Sequence, residues 1–292
     1  MYIQWNTDKA TDELGNKAAN LCRLKQMGIA VPEGFTLTKK AFLDFVSGHQ
    51  IRERIMESLL GLPSDLLAIK ERSQDLYSLF NRYEIPDKIS KEITQACEAL
   101  RGSKEKVRFA IRSSAGIEDL SSRSFAGMYK TFLNVETTDE VLRCIKGCWQ
   151  SAFSFSALSY IKRTNIDIKR IEDTAMAVII QRMIKAKFSG VMMTIDPITG
   201  DPSKILIEYT ARGNVVSGEI TPNRLLVDKI THQIDKTINS PEAILAEEHI
   251  FSLQNLAKRI EAHFGGYQDI EWAIDEGVII LQARPETVWS KR

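Results

Sequence analysis

Apolar residues recur at helical spacing through the first third of the chain and at alternating spacing afterwards. After Gly15, the segment NKAANLCRLKQMG sets Leu14, Ala18, Leu21 and Cys22 on one helical face. Gly28 suits a left-handed C-cap there, and Pro32 bars continuation. Three or four more amphipathic segments fill residues 39–101. The clearest, PDKISKEITQACEALRG at 86–102, has proline in its first turn, a stripe of Ile89, Ile93, Ala96 and Leu100, and Gly102 as its stop. From residue 106 the period falls to two. KVRFAIRSS reads as a strand, the Ser- and Gly-rich stretch AGIEDLSSRSFAG as a loop, and YKTFLNV as the next strand. A helical pair at 138–163 precedes the strands AMAVIIQRM, GVMMTID, KILIEYT and RLLVD, a helix from Pro241 to His263, and a closing hairpin over 269–285. This order predicts an α+β chain with a helix-rich N-terminal lobe (residues 1–180) and a sheet-rich C-terminal lobe (residues 181–292) meeting near Gln181. Neither an internal repeat nor a low-complexity linker divides the two.

At 292 residues and 43% hydrophobic content, the chain can bury one large core or two modest ones. Its net charge of +1, from 39 basic and 38 acidic residues, gives no long-range field for nucleic acid or an anionic membrane, so neither is an expected partner. Any anion must be held locally. No run approaches the roughly 20 apolar residues of a membrane span, and MYIQWNTDKATDELG has no apolar signal core, so a cytoplasmic location is expected. Four cysteines make no disulfide framework. Cys144 and Cys148, four apart on a helix, lack zinc-site spacing and read as buried thiols.

Three places carry candidate chemistry. The run RSSAGIEDLSSRSFAG puts Arg112 at a strand end, before small residues whose amides can approach an anion, although solvated surface loops share that composition. Neither GxxxxGK[ST] nor GxGxxG is present. Lys17, at the start of its helix, gains nothing from the macrodipole unless a phosphate sits there too; an exposed lysine is the plainer reading. In the hairpin, alternation turns Ile270, Trp272 and Ile274 one way and Asp269, Glu271 and Asp275 the other. Asp275, Glu276 and Gly277 supply the turn. On the return strand Ile279, Leu281 and Ala283 share one face, and Gln282 and Arg284 the opposite one. A carboxylate and an amide oxygen are hard ligands for magnesium, and the neighbouring guanidinium can hold a phosphoryl group. A wet, salt-bridged hairpin face is the alternative.

GNKAANLCRLKQMGIAVPEGFTLT, AIRSSAGIEDLSSRSFAGMYKTFLNV, VIIQRMIKAKFSGVMMTIDPITG and QDIEWAIDEGVIILQARPET occur in this order. Together, from about residue 12 to residue 287, they resemble the N-terminal nucleotide-binding domain of the phosphoenolpyruvate synthase and pyruvate phosphate dikinase family, which includes rifampicin phosphotransferases and glucan water dikinases. The resemblance implies an ATP-grasp fold holding ATP and magnesium between two lobes. It implies that Lys17 and Arg112 contact phosphates, that Gly127 and Thr131 lie in the loop covering them, and that Gln181 sits by the adenine. Glu271 and Gln282 would coordinate magnesium with Asp269 close by, and Arg284 would stabilise the phosphoryl group in flight.

The family reaction cleaves ATP to AMP, moves the β-phosphoryl group to a histidine on a swivelling domain, and from there to a final acceptor such as pyruvate. His49, His232, His249 and His263 lie in no phosphohistidine motif, so the carrier is expected on a partner or a further C-terminal domain. A glycine-leucine-glycine-glutamate run usual in the family is replaced by Ala211, Arg212, Gly213 and Asn214, while Glu208 just before it remains an acceptor for ribose hydroxyls or a metal-bound water. Two other classes fit the residues: a stand-alone ATP-grasp kinase or ligase for a small molecule, and a nucleotide-binding protein without turnover.

Overall fold

The structure is a computed structural model and describes residues 1–48, 51–103, 106–115, 119–120, 123–124, 128–211, 221–240 and 244–289. The chain divides into two compact units, one of residues 1–19 and 33–183, the other of residues 20–32 and 184–292.

The first unit holds β1 (Ile3–Trp5), a 3-10 turn (Asp12–Leu14), the start of α1 (Gly15–Gln26), β2 (Gly34–Leu37), α2 (Lys39–Gly48), α3 (Arg52–Leu60), α4 (Leu66–Asn81) and α5 (Asp87–Arg101). It continues with β3 (Phe109–Ala115), the short pair β4 (Asp119–Leu120) and β5 (Arg123–Ser124), β6 (Thr131–Val135), α6 (Thr138–Ser151), α7 (Phe155–Thr164) and β7 (Met176–Arg182). Its main sheet runs β1-β2-β7-β3-β6 and is antiparallel throughout. One face is apolar: Phe35, Leu37, Phe109, Ile111, Val178 and Ile180 join the helices in a continuous core. Phe42, Phe45, Phe80, Trp149 and Phe153 form its aromatic centre, and the Trp149 indole nitrogen donates to the Met176 carbonyl at 3.2 Å. Helix α5 buries Ile89, Ile93, Ala96 and Leu100 as its periodicity predicts, with Cys97 added. A capping box of Thr137 and Glu140 starts α6.

The second unit is built on a six-stranded antiparallel sheet, ordered β11-β10-β9-β8-β12-β13. Its strands are β8 (Phe188–Met193), β9 (Lys204–Ala211), β10 (Asn223–Asp228), β11 (Ile234–Thr237), β12 (Gln268–Ile274) and β13 (Val278–Pro285), with α8 (Glu247–Phe264) between β11 and β12. Gly190 is required where strands and a ring crowd together. A Cβ there would lie 2.1 Å from the Glu208 carbonyl oxygen and 2.7 Å from the Trp272 ring.

Three expectations need correction. Helix α8 begins at Glu247, not Pro241, because Ala246 is extended (φ −64°, ψ 148°); two carboxylates, Glu247 and Glu248, then face the helix's positive end. A bulge on β13 shifts the register so that Ile280, not Leu281, opposes Trp272. Ile280 and Ala283 therefore face the core, and Ile279 and Leu281 are only half-buried. Strands β1, β2 and β11 complete the sheets without having been expected. Among the described residues no helix is long and apolar enough to cross a membrane, and all four cysteines are free thiols.

Candidate functional site

In the first unit the candidate residues lie on the sheet face turned away from the helical core. Directly opposed residues share a face of an antiparallel sheet. Arg112 on β3 opposes Thr131 on β6 and Ile179 on β7, and Ile179 opposes Thr36 on β2. Thr36, Ile179, Arg112 and Thr131 thus form one row across four strands. The next row is Gly34, Gln181 and Ala110. Gly34 makes room for Gln181, since a Cβ at residue 34 would lie 2.9 Å from the Gln181 Cγ and 2.4 Å from the Ile180 carbonyl oxygen. Gln181 is only 2% exposed, yet its Nε2 has no hydrogen-bond partner among the described residues.

Lys17 belongs to the first turn of α1, which is fastened to β3. Ser114 Oγ donates to the Leu14 carbonyl at 2.8 Å and accepts from the Ala18 amide at 3.1 Å. Gly15 allows that approach with φ +69°, where a Cβ would lie 2.3 Å from the Ser114 carbonyl oxygen. Ser114 is two residues along β3 from Arg112, so one strand positions both cations, each half-buried. Gly127 lies outside the described residues.

In the second unit, Glu271 on β12 opposes Gln282 on β13 and Val191 on β8. Val191 opposes Glu208 on β9, and Glu208 opposes Arg224 on β10. Gln282, Glu271, Val191, Glu208 and Arg224 therefore line up as a single row. The adjoining row pairs Asp269 with Arg284, whose Nε and Nη2 both donate to Asp269 Oδ2, at 2.9 and 2.6 Å. This face is salt-bridged at one end and partly withdrawn from water: Gln282 is 4% exposed and the Asp269 side chain 15%, while the Arg284 side chain is 34% exposed. The bulge at Leu281 returns Ile280 to the core while Gln282 stays opposite Glu271.

The donor set suits magnesium. Glu271 and Gln282 offer a carboxylate and an amide oxygen from directly opposed positions, and magnesium commonly takes one or two protein oxygens while water and phosphate fill the rest. Among the described residues no three His, Cys, Asp or Glu side chains cluster as a metal cage. Thr36 was not singled out from the sequence, although it is the polar position between Phe35 and Leu37 in an otherwise apolar strand. Arg224 carries no such signal.

Residues 11–245 and 236–292 match the model of the pyruvate phosphate dikinase AMP/ATP-binding domain. The chain is 34% identical to the phosphoenolpyruvate synthase of Aeropyrum pernix, covering 99% of this chain and 43% of that protein. It is 34% identical to a probable phosphoenolpyruvate synthase of Methanothermobacter thermautotrophicus, covering 98% and 46%, and 32% identical to a rifampicin phosphotransferase of a Streptomyces species, covering 94% and 34%. It spans less than half the length of these curated relatives. The family model takes in nearly the whole sequence, and the chain belongs to the pyruvate phosphate dikinase AMP/ATP-binding domain family.

Proposed function

We propose that this chain is an ATP-grasp module that binds ATP with magnesium and passes the β-phosphoryl group to a histidine on another domain or polypeptide. The imidazole nitrogen bonds to the β-phosphorus as the bond to the α-side oxygen breaks, releasing AMP; the γ-phosphoryl group goes to water or orthophosphate. The phosphohistidine then serves a final acceptor, pyruvate or another small molecule. The observation that carries this reading is the paired rows of the second unit, Gln282–Glu271–Val191–Glu208 beside Asp269–Arg284. They put hard oxygen ligands next to a guanidinium held in place by a carboxylate.

Each residue has a part in the proposal. Arg112 and Lys17 neutralise phosphate oxygens, Thr131 and Gly127 belong to the segment that covers them, Gln181 meets the base, and Glu208 accepts from ribose hydroxyls. Magnesium, held by Glu271 and Gln282 with Asp269 close by, supplies neutralisation of the charge on the transferring group. Arg284 follows that charge as it spreads over the equatorial oxygens.

The test supplies ATP labelled at its β-phosphate, magnesium, and a separately purified phosphohistidine domain. AMP and a labelled histidine are expected only when all are present, with Glu271→Ala lowering magnesium-dependent ATP affinity roughly tenfold or more. ADP without histidine label, or ATP binding indifferent to magnesium and to Glu271→Ala, would overturn the proposal.

A further inference from the structure

β13 is an edge strand, and it carries both Gln282 and Arg284. Its outer side is held by residues 20–32, the early segment that shares its unit. The Ile280 amide donates to the Ala30 carbonyl, and the Ala283 carbonyl accepts from Asn20 Nδ2, each at 2.9 Å. In a regular antiparallel strand the backbone groups of one residue point together, toward the partner strand or away from it, and successive residues alternate. Ile280 and Ala283 are three residues apart, so in a regular strand they would face opposite edges. Both face outward here because Leu281 is inserted between them. The two outside bonds therefore fit only the bulged strand. Asn20 is suited to this use: it is 6% exposed, and its Oδ1 accepts from Arg23 Nη1 at 2.9 Å, which leaves Nδ2 as the atom turned to Ala283.

We propose that Asn20 is a positioning residue for the metal-binding pair: its bond to the Ala283 carbonyl keeps the extra residue at Leu281, and so keeps Gln282 opposite Glu271. Without the insertion, a strand paired from Trp272–Ile280 onward sets Leu281 opposite Glu271 and turns Gln282 toward the core beside Ile270. The carboxylate then loses its amide neighbour and faces an isobutyl group, which offers a cation nothing. A bulge inside an apolar run has little of its own to fix its place, since Ile279, Ile280 and Leu281 are alike in size and chemistry. A buried amide with one acceptor to satisfy supplies the choice. A slip by one residue turns the Ala283 carbonyl away and leaves that amide without its acceptor. The inference rests on the reading of Glu271 and Gln282 as magnesium ligands and adds to it a residue that acts through β13 rather than on the ligand.

ATP affinity of the whole chain, measured by calorimetry in magnesium and in EDTA, tests it on wild type, Asn20→Leu, Asn20→Asp, Glu271→Ala, Gln282→Ala and the double variant Asn20→Leu/Gln282→Ala. Leucine matches asparagine in shape and lacks the donor; aspartate keeps the acceptor for Arg23 and lacks the donor too. Both single Asn20 variants should weaken ATP about fivefold or more in magnesium and leave affinity in EDTA within about twofold. In the Gln282→Ala background, Asn20→Leu should change affinity in magnesium by less than about twofold, since the ligand it positions is gone. A residue that only supports the fold would lower both affinities, or would add its full loss to that of Gln282→Ala. Either result overturns the proposal, as does loss of a cooperative melt in both Asn20 variants. Magnesium dependence that Glu271→Ala removes and neither Asn20 variant alters overturns the role of Asn20 alone. Wild-type ATP binding that is absent, or indifferent to magnesium, overturns the metal reading and this inference with it.

Discussion

Arg284 meets Asp269 through two nitrogens, Nε and Nη2, that converge on a single carboxylate oxygen. This fixes the plane of the guanidinium as well as its position. A planar cation so held can match phosphoryl oxygens better as negative charge develops on them, which is the condition for lowering a barrier without tightening ground-state binding. Arg284→Lys keeps the charge and loses the fork. The expected result is a fall of ~10²-fold in single-turnover transfer of labelled phosphate, with ATP affinity changed only several-fold. Equal losses in rate and affinity would reduce Arg284 to a partner for Asp269. Strand alternation alone puts Asp269, Glu271, Gln282 and Arg284 on one side of the hairpin, so those positions are readable from sequence. The extra residue at Leu281 is not readable, because a bulge is settled by the packing of Trp272 and Ile280 and leaves no mark on an apolar run such as VIIL. Gln181 differs in the same way: a buried polar atom without a partner is a property of its surroundings, not of its residue type.

Among the elements, length and periodicity decide what a sequence reveals. Helix α5 has proline before it, a clean apolar stripe and Gly102 at φ +57°, and its limits follow directly. The short strands β1 and β2 have too few residues to show a period and are recognised only by their pairing. β1 is fastened to the helices by Tyr2, whose hydroxyl donates to Asp44 Oδ2 on α2 at 2.7 Å while its backbone amide donates to Glu92 Oε2 on α5 at 2.9 Å. The ammonium groups of Lys40 and Lys88 lie 5.7 and 5.8 Å from its ring centroid. The hydrogen bond to Asp44, with burial and the charges of Asp44 and Glu92, pushes the Tyr2 phenol up to about 12. A phenol that keeps its proton longer in the folded than in the unfolded chain stabilises the fold fully below the unfolded value of about 10 and loses that contribution as pH rises through the folded one. Wild type should therefore exceed Tyr2→Phe in urea midpoint at pH 8, and the gap should close by pH 12. A gap that persists unchanged at the alkaline end would show that the phenol does not titrate against Asp44.

For the whole molecule, each unit has its own antiparallel sheet and its own share of the candidate residues: Lys17, Arg112, Thr131 and Gln181 in one, Glu208, Asp269, Glu271, Gln282 and Arg284 in the other. The change from helical to alternating period marks the general order of the chain, but it gives no hint that residues 20–32 pack with residues 184–292. That segment is bound there by specific contacts. Asn20 Nδ2 donates to the Ala283 carbonyl, the Ala30 carbonyl accepts from the Ile280 amide, and the Met27 carbonyl accepts from Arg259 Nη2, each at 2.9 Å. A fragment of residues 184–292 lacks all three partners and should show no cooperative melt by circular dichroism, whereas the same fragment joined through a flexible linker to residues 20–32 should regain one. A cooperative melt of the bare fragment would show the segment to be dispensable. Helix α1 starts among the residues of one unit and ends among those of the other, so the polypeptide passes between them at residues 19–20, 32–33 and 183–184. No single breakpoint in the coding sequence can leave both units whole, and a module with this thread must be copied, fused or lost in one piece.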